Sequence, residues 1–317
     1  MESYIVKSMI SGFITLKNVI QTGYPFVEAI AAILPVCDEF LISEGYSTDG
    51  TYEICEKMAQ MNKKIKVFRD KWPSIRRYNV IADVTNMVRA KCSGDYLFSI
   101  QANEIIHEES IAFLRALPEI YPKGTSFSLP FIHLVRDYRF YEDFRVRFTK
   151  NVDTMIAVGD AWTMGPSRSF TKSEMFKGMR NPKRLLRYAA QGINWTYANP
   201  GISAFSRTIY LPKPLYRYWS LFPHDYLEKC KKHIEMFNLE NLREDIEALK
   251  NYVDKTEIFW NKAAELRRNE LDFHYPTALG KVHLEEHPAV VKDLLLSDST
   301  LTHYQVRDKV LNSIKNL

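Results

Sequence analysis

Four short apolar runs, Ile10 to Leu16, Glu39 to Ser43, Ile65 to Arg69 and Asp95 to Ile100, alternate with segments of helical period. That alternation leaves few folds open. Strands separated by helices of this length pair in parallel through right-handed crossovers. The first helical segment follows Pro25, with Phe26, Val27, Ile30, Ala31 and Leu34 on one face. Proline suits a first helical position, where its missing N–H would have had no partner. Thr48-Asp49-Gly50-Thr51 then turns the chain into a helix over about 51–61. Residues 75–92 carry Ile81, Thr85, Val88 and Cys92 at helical spacing, and Ser93-Gly94 ends that run. Ligands of such sheets bind beyond the carboxyl ends of the strands. The loops after Leu16, Ser43, Arg69 and Ile100 are therefore expected to meet at one site.

Beyond Ile100 the pattern loosens. Ser126 to Val135 and Phe144 to Thr149 read as strands joined by polar, aromatic sequence, and 160–222 is rich in Gly, Pro and Ser and reads as loops. From Asp225 the period becomes helical: Leu227, Cys230, Ile234 and Phe237 share a face, with Asp225 as the expected N-cap. Leu242, Ile246, Leu249 and Val253 predict a second helix running to about Arg268. These patterns predict a main domain over 1–222 and a helical region over 223–317 packed on it.

Composition narrows the class. Of the 317 residues, 46% are hydrophobic and 26% charged, which suits a buried core and not a disordered chain. The 4 cysteines, Cys37, Cys55, Cys92 and Cys230, show neither zinc spacing nor a disulfide framework, which favours a reducing compartment. No run approaches the ~20 apolar residues of a membrane helix, so no integral membrane segment and a cytoplasmic location are expected. The net charge of +5 is modest, but Asp and Glu are missing from Met175 to His224. That stretch holds Lys177, Arg180, Lys183, Arg184, Arg187, Arg207, Lys213 and Arg217 among many Tyr and Trp. It fits either an anionic ligand with flat rings or a solvated basic face balanced by acidic helices.

Two segments carry chemistry. In the first, Asp38 to Thr51, a strand ends in Glu44 and passes through Gly45, Tyr46 and Ser47 into a helix. A carboxylate there suits ribose hydroxyls or a base N–H, and Gly45 lets the backbone approach closely. A tight turn in which Asp49 only caps the helix fits equally well. In the second, Thr85-Asn86 precede Cys92-Ser93-Gly94-Asp95, a buried strand, and then Gln101-Ala102-Asn103-Glu104. That strand brings three polar side chains to its carboxyl end, or simply terminates at a solvated loop.

In this order and at this separation, the two segments resemble the family 2-like glycosyltransferases with the A-type fold. That family shows an acidic-Gly-Ser-x-Asp-Gly-Thr turn, then Gly-Asp-aromatic, a hydrophobic strand and an Asp-x-Asp-like motif. The branch most similar reads Gln-Ala-Asp-Glu, preceded by Thr-Asn and Cys-x-Gly-Asp. This chain keeps Thr85-Asn86, Cys92, Gly94-Asp95, Gln101-Ala102 and Glu104. The resemblance continues more weakly through Arg145 to Asn151, Tyr218-Trp219 and His287-Pro288.

The resemblance implies a three-layer α/β/α domain with a mostly parallel central sheet, of the nucleotide-diphospho-sugar transferase type, plus a C-terminal helical extension. It implies an enzyme that moves a sugar from a nucleotide-sugar donor to an acceptor hydroxyl, with inversion. Thr15, Asn18, Glu44, Gly45, Ser47, Asp70, Asn86, Gln101 and Asn103 become the expected contacts of the nucleotide sugar. The family usually holds Mn²⁺ or Mg²⁺ at the Asp-x-Asp motif. Here Asn103 replaces the aspartate, and Arg217 falls about where a His-Tyr pair is expected. Either Asn103 and Glu104 hold a weakly bound cation, or Arg217, with Lys17, neutralises the diphosphate directly. The second reading is preferred, because losing an anionic ligand while gaining a cation preserves the charge balance.

An inverting transfer also needs a base. The candidates are Glu142 and Asp143, paired carboxylates in loop-like sequence, together with Asp160; Asp137, His133 and His224 are weaker ones. Two alternatives stay open: a non-catalytic nucleotide-sugar binder on the same fold, and a nucleotidyltransferase. The acceptor is left among a glycan, a phospholipid-linked group, a protein and modified nucleic acid.

Overall fold

The computed structural model describes residues 7–73, 80–158, 161, 163–166, 206–237, 240–271, 280–297 and 310–317. Strands β1 (Ile10–Leu16), β2 (Glu39–Glu44), β3 (Ile65–Arg69) and β4 (Tyr96–Ser99) lie in the order β3-β2-β1-β4, every pair parallel. Side chains alternate across a strand, and two helical layers take the two faces. Ile10, Ile14, Phe40 and Ile42 pack with α1 (Phe26–Ile33) and α2 (Thr51–Met61). Phe13, Leu41 and Leu97 pack on the other face with Ala82 and Val88 of α3 (Val80–Arg89). The three-layer arrangement follows from this two-sided burial.

The sheet then turns mixed. It continues through β5 (Glu104–Ile106), β6 (Ser126–Val135), β7 (Tyr138–Lys150) and β11 (Leu215–Ser220), in the order β4-β7-β6-β11-β5. Helix α4 (Ile111–Ile120) precedes β6, and β8 (Met155–Val158) pairs with β9 (Thr163–Pro166) as a separate hairpin. The short β10 (Arg207–Thr208) and β12 (Gly280–Lys281) pair with β6 and β7. Strand β7 corrects the expectation of loop-like sequence before Phe144, because it runs unbroken from Tyr138. A tight turn pairs Val135 with Tyr138, and Arg136 within it takes φ +53°. No glycine marks this turn. Its N–H donates to the Ser220 carbonyl, and its guanidinium reaches the carbonyls of Leu221 and Leu295. Tertiary anchors hold a turn that local sequence does not announce.

The helices after Phe222 divide between two cores. Helix α5 (Pro223–Phe237) begins at Pro223, so Asp225 lies in its first turn and is not the N-cap. The expected second helix is two, α6 (Arg243–Leu249) and α7 (Thr256–Leu271), separated by a 3-10 turn at Lys250–Tyr252. Leu227, Cys230, Ile234, Ile246, Leu249, Phe259 and Trp260 form a satellite cluster around Tyr226 and Trp219. Helix α8 (Ala289–Leu296) and the final turn instead join the main core through Val291, Leu294, Val310 and Ile314. Asn62 Nδ2 donates to the Ile314 carbonyl at 2.9 Å, which ties the end of the chain beside α2. Among the described residues no helix is long and apolar enough to cross a membrane.

Candidate functional site

The loops after β1 and β2 are stitched to each other at the carboxyl edge of the sheet. The Asn18 N–H donates to Ser47 Oγ at 2.9 Å, and the Thr48 N–H to Asn18 Oδ1 at 2.9 Å. Farther along, the Val19 N–H meets Thr51 Oγ1 and the Gln21 N–H meets Asp49 Oδ2. Asn18 takes φ +49°, a conformation asparagine tolerates better than most residues. Glu44 is fully buried beneath this seam. Its carboxylate accepts from the N–H groups of Tyr46 (3.1 Å) and Ser47 (2.6 Å) and from Arg69 Nε (3.0 Å). Glu44, Asn18 and Ser47 were expected to face the nucleotide. Each of them forms contacts that hold the wall of the site.

That wall presents an aromatic ledge. Tyr46 is held at φ +57° and is 52% exposed. The Arg69 guanidinium lies 4.2 Å from its ring centroid and 4.1 Å from that of Tyr52. The backbone approach that Gly45 allows is made by Trp72: a Cβ on Gly45 would fall 2.5 Å from the indole Nε1. Lys17 places its ammonium 5.6 Å from the Trp72 ring centroid. Thr15 sits half-buried near the end of β1, with Ser43 as its partner across the ladder. Asp70 accepts from Ser43 Oγ and pairs with Lys91 at 2.7 Å. Tyr46, Arg69 and Trp72 were not singled out beforehand; aromatic residues just past two neighbouring strand ends were the available signal.

The second wall is the corner from Gln101 to Glu104. Glu104 is 0% exposed, and Arg147 forks onto it, Nη2 to Oε1 at 2.6 Å and Nε to Oε2 at 2.9 Å. The Gln101 N–H also donates to Oε2 at 3.1 Å. Arg145 Nη1 and Arg217 Nε lie 4.0 and 3.9 Å from Oε1. Strand pairing makes this assembly. Arg217 stands opposite Glu104 on one neighbour and opposite His133 on the other. Asp143, Arg145 and Arg147 alternate along β7 and so share one face. Asp143 Oδ2 accepts from Arg145 Nε at 2.9 Å, and its Oδ1 lies 3.0 Å from His133 Nε2.

Among the described residues, three guanidiniums therefore face two carboxylates. His133 adds no charge: burial, with Arg145 and Arg217, pushes its pKa down to about 3 against the pull of Asp143. Burial opposes ionisation of Asp143, yet Arg145 and His133 hold its carboxyl well below the usual carboxylate range. The sequence reading missed Arg145 and Arg147 as site residues. An Asp-x-Arg-x-Arg alternation in a strand was the signal for a charged buried face.

The candidate bases separate. Successive strand residues point to opposite faces, so Glu142 and Asp143 do not form the expected carboxylate pair. Glu142 instead meets Arg139 at 3.1 Å where both are half-buried. Asp143, held so acidic, is a poor proton acceptor near neutral pH. Asp160 lies outside the described residues. Asn86 and Asn103 also differ from expectation. Asn86 clasps the backbone of Ala157 with both ends of its amide, at 3.0 and 2.8 Å, and so joins α3 to β8. Asn103 is buried, and its Nδ2 donates to the Tyr218 carbonyl at 2.9 Å. Replacing Asn86 with alanine is expected to cost about 1–3 kcal/mol of stability, since two buried backbone groups lose their partner. Nucleotide affinity should be unmoved. Urea denaturation and a nucleotide titration on the same variant check both halves.

A divalent cation does not fit the donor set. Both Glu104 oxygens are engaged, the Asn103 amide is tied to β11, and three guanidiniums surround the position. Among the described residues no three His, Cys, Asp or Glu gather as a metal site. Of the basic aromatic stretch, 175–205 lies outside the described residues. In the remainder Arg217 joins the site, whereas Tyr216, Tyr218 and Trp219 are buried.

His287 is fully buried beneath β11, its Nδ1 2.7 Å from the Tyr218 hydroxyl, and burial pushes its pKa down to about 4. His133 and His287 are thus neutral in the folded protein, while unfolded histidines titrate near ~6.5. Below that pH the unfolded chain binds protons that the folded chain refuses. Stability should fall as pH drops from about 6.5 towards 4, by up to ~2 kcal/mol per histidine at pH 5. Urea midpoints at pH 7.5, 6 and 5 read this, and His287→Gln should flatten the profile. A profile that is level from pH 7 to 5 rules it out.

No family profile and no curated protein matches this chain. Solved structures do resemble it. Residues 1–349 of S. aureus TarS with UDP superpose on 97% of this chain and 89% of their own length, at 16% identity and TM-score 0.35. The mannosyltransferase PcManGT of Pyrobaculum calidifontis, with GDP-Man and Mn²⁺, matches over 42% of this chain at 12% identity and TM-score 0.31. The glucosyl-3-phosphoglycerate synthase of Mycobacterium tuberculosis matches over 41% of this chain and 44% of its own, at 19% identity and TM-score 0.25. This chain spans 37% of the mannosyltransferase and 54% of the longer TarS chain.

Proposed function

We propose that this chain is a glycosyltransferase that takes a nucleoside-diphosphate sugar at the carboxyl edge of its sheet. One observation carries the reading: an aromatic ledge, Tyr46, Arg69 and Trp72, borders the same sheet edge as a corner where, among the described residues, three arginines gather around Glu104 and Asp143. A nucleoside diphosphate has the matching parts, a flat base and a charged bridge. Transfer forms a bond from the acceptor oxygen to the sugar C1. The bond from C1 to the diphosphate oxygen breaks, its electron pair leaves with the diphosphate, and the acceptor proton passes to a base. Asp160 is the proposed base, and the reaction is proposed to invert the anomeric centre. Charge grows on the diphosphate as that bond breaks, so donors fixed in advance around it lower the barrier.

The test is a thermal-shift panel of UDP-, GDP- and CMP-sugars with the intact protein. A ligand that binds only the folded state raises the melting temperature by mass action, so one nucleotide class should stand out. If every one leaves the midpoint unchanged, the reading fails. A non-catalytic binder is the second reading. It is favoured by Glu44, Asp70, Glu104 and Asp143, each of which is already engaged by a cation. Slow hydrolysis of the stabilising donor separates the two, because a pure binder releases no sugar.

A further inference from the structure

We infer that Tyr46 is the residue that holds the ligand's base: the outward face of its ring stacks on the base, and Arg69 is a positioning residue that braces the ring from behind. The inference deepens the proposed function and rests on it only for the ligand being a nucleotide. Tyr46 takes φ +57°, a conformation rare for a bulky side chain. Gly45 stands beside it, yet the glycines of positive φ are Gly23 and Gly50. The left-handed position of this turn is thus held by an aromatic residue at a cost in stability. Backbone strain of that kind gathers at ligand clamps. The residue that bears it is 52% exposed.

The brace is built from charge. The Glu44 carboxylate accepts from the Tyr46 and Ser47 N–H groups at 3.1 and 2.6 Å and from Arg69 Nε at 3.0 Å. One buried group therefore fixes both the turn and the guanidinium. That guanidinium stands 4.2 Å from the Tyr46 ring centroid and 4.1 Å from that of Tyr52. Cation and ring face attract, so one face of Tyr46 is covered and its plane is set before a ligand arrives. A ring fixed in advance loses little freedom on binding. Trp72, the other large ring of the ledge, is committed to the wall. A Cβ on Gly45 would fall 2.5, 2.7 and 2.9 Å from its Nε1, Cδ1 and Cε2 atoms. Its buried Nε1 has no hydrogen-bond partner among the described residues, so packing on the glycine seats the indole. Every base has a π face, so Tyr46 is expected to serve uracil and guanine alike.

The experiment is calorimetric titration of the intact protein with UDP, GDP and inorganic pyrophosphate, with and without Mn²⁺. Tyr46→Gly should weaken UDP and GDP about 5- to 150-fold, the range of a lost base stack, and leave pyrophosphate within about twofold. Its urea midpoint should stay level or rise, because glycine adopts positive φ without strain. Tyr46→Phe keeps the ring and should keep the affinity. Arg69→Ala should weaken the nucleotides more than pyrophosphate, and Arg69→Lys, which keeps a cation behind the ring, should restore part of the loss. Nucleotides that bind Tyr46→Gly as well as the unmodified protein, or a loss equal to that of pyrophosphate, overturn the inference and leave the glycosyltransferase reading standing. A midpoint that falls in Tyr46→Gly assigns the ring to the fold and does the same. Binding of UDP or GDP that depends on Tyr46, with no affinity for UDP-GlcNAc or GDP-Man, supports the inference and overturns that reading. Silence toward every probe overturns both.

Discussion

Replacing Glu104 with alanine is expected to remove about 3–5 kcal/mol of folding stability, because it leaves the buried Arg147 guanidinium without its counter-charge. Arg147 would lose two hydrogen bonds of 2.6 and 2.9 Å while its side chain stays 1% exposed. Arg145, equally buried, would keep Asp143 at 2.9 Å and lose only the field of Glu104 at 4.0 Å. Glu104→Gln keeps the shape and one acceptor oxygen, so its loss should be smaller but still evident. The measurement is the urea midpoint at unchanged slope, which reports stability without a change in the surface exposed. A carboxylate poised for a metal gives the opposite pattern. Its removal would leave the metal-free protein as stable as before and would abolish a response to Mn²⁺. An unmoved midpoint in Glu104→Ala would therefore refute the structural role of Glu104.

The second large effect is expected at Glu44. Glu44→Ala should cost about 2–3 kcal/mol, since the N–H groups of Tyr46 and Ser47 lose a charged acceptor. Arg69 adds less to the loss, because its side chain is 35% exposed and water can take over. Nucleotide affinity should fall with stability, because the turn that holds Tyr46 at positive φ would relax. A carboxylate that only met the ribose would behave differently: affinity would drop and the urea midpoint of the free protein would not move. Measuring both on one variant distinguishes wall from contact.

The parallel half of the sheet was legible because each of its strands is an apolar run bounded by turn residues. The runs at Ile10, Glu39, Ile65 and Asp95 became β1 to β4 with little change in their limits. Strand β7 was not legible before Phe144, because Arg139, Glu142 and their neighbours look solvated. Its pairing with β6 depends on a turn anchored by carbonyls at Ser220, Leu221 and Leu295. The single long helix expected after Leu242 failed for a related reason. Its apolar positions serve a small cluster around Trp260 and Tyr226, and the 3-10 turn at Lys250–Tyr252 redirects the chain toward it.

For the site, local sequence identified positions and tertiary structure assigned their work. Glu44 and Asn103 were found where polar residues stand at the ends of apolar strands, and Asn86 through the family resemblance, but short-range pattern says nothing about what a side chain bonds to. Glu104 and Arg147 lie 43 residues apart, and Arg217 comes later still on a strand that pairs with both β5 and β6. Periodicity operates over a few residues, so the sequence alone could determine which segments are strands and helices and at which sheet edge a ligand would be met. Only the folded sheet could decide that Arg145, Arg147 and Arg217 gather around Glu104 and Asp143 at this edge, because Coulomb interactions depend on spatial distance and burial, which strand order sets and chain order does not.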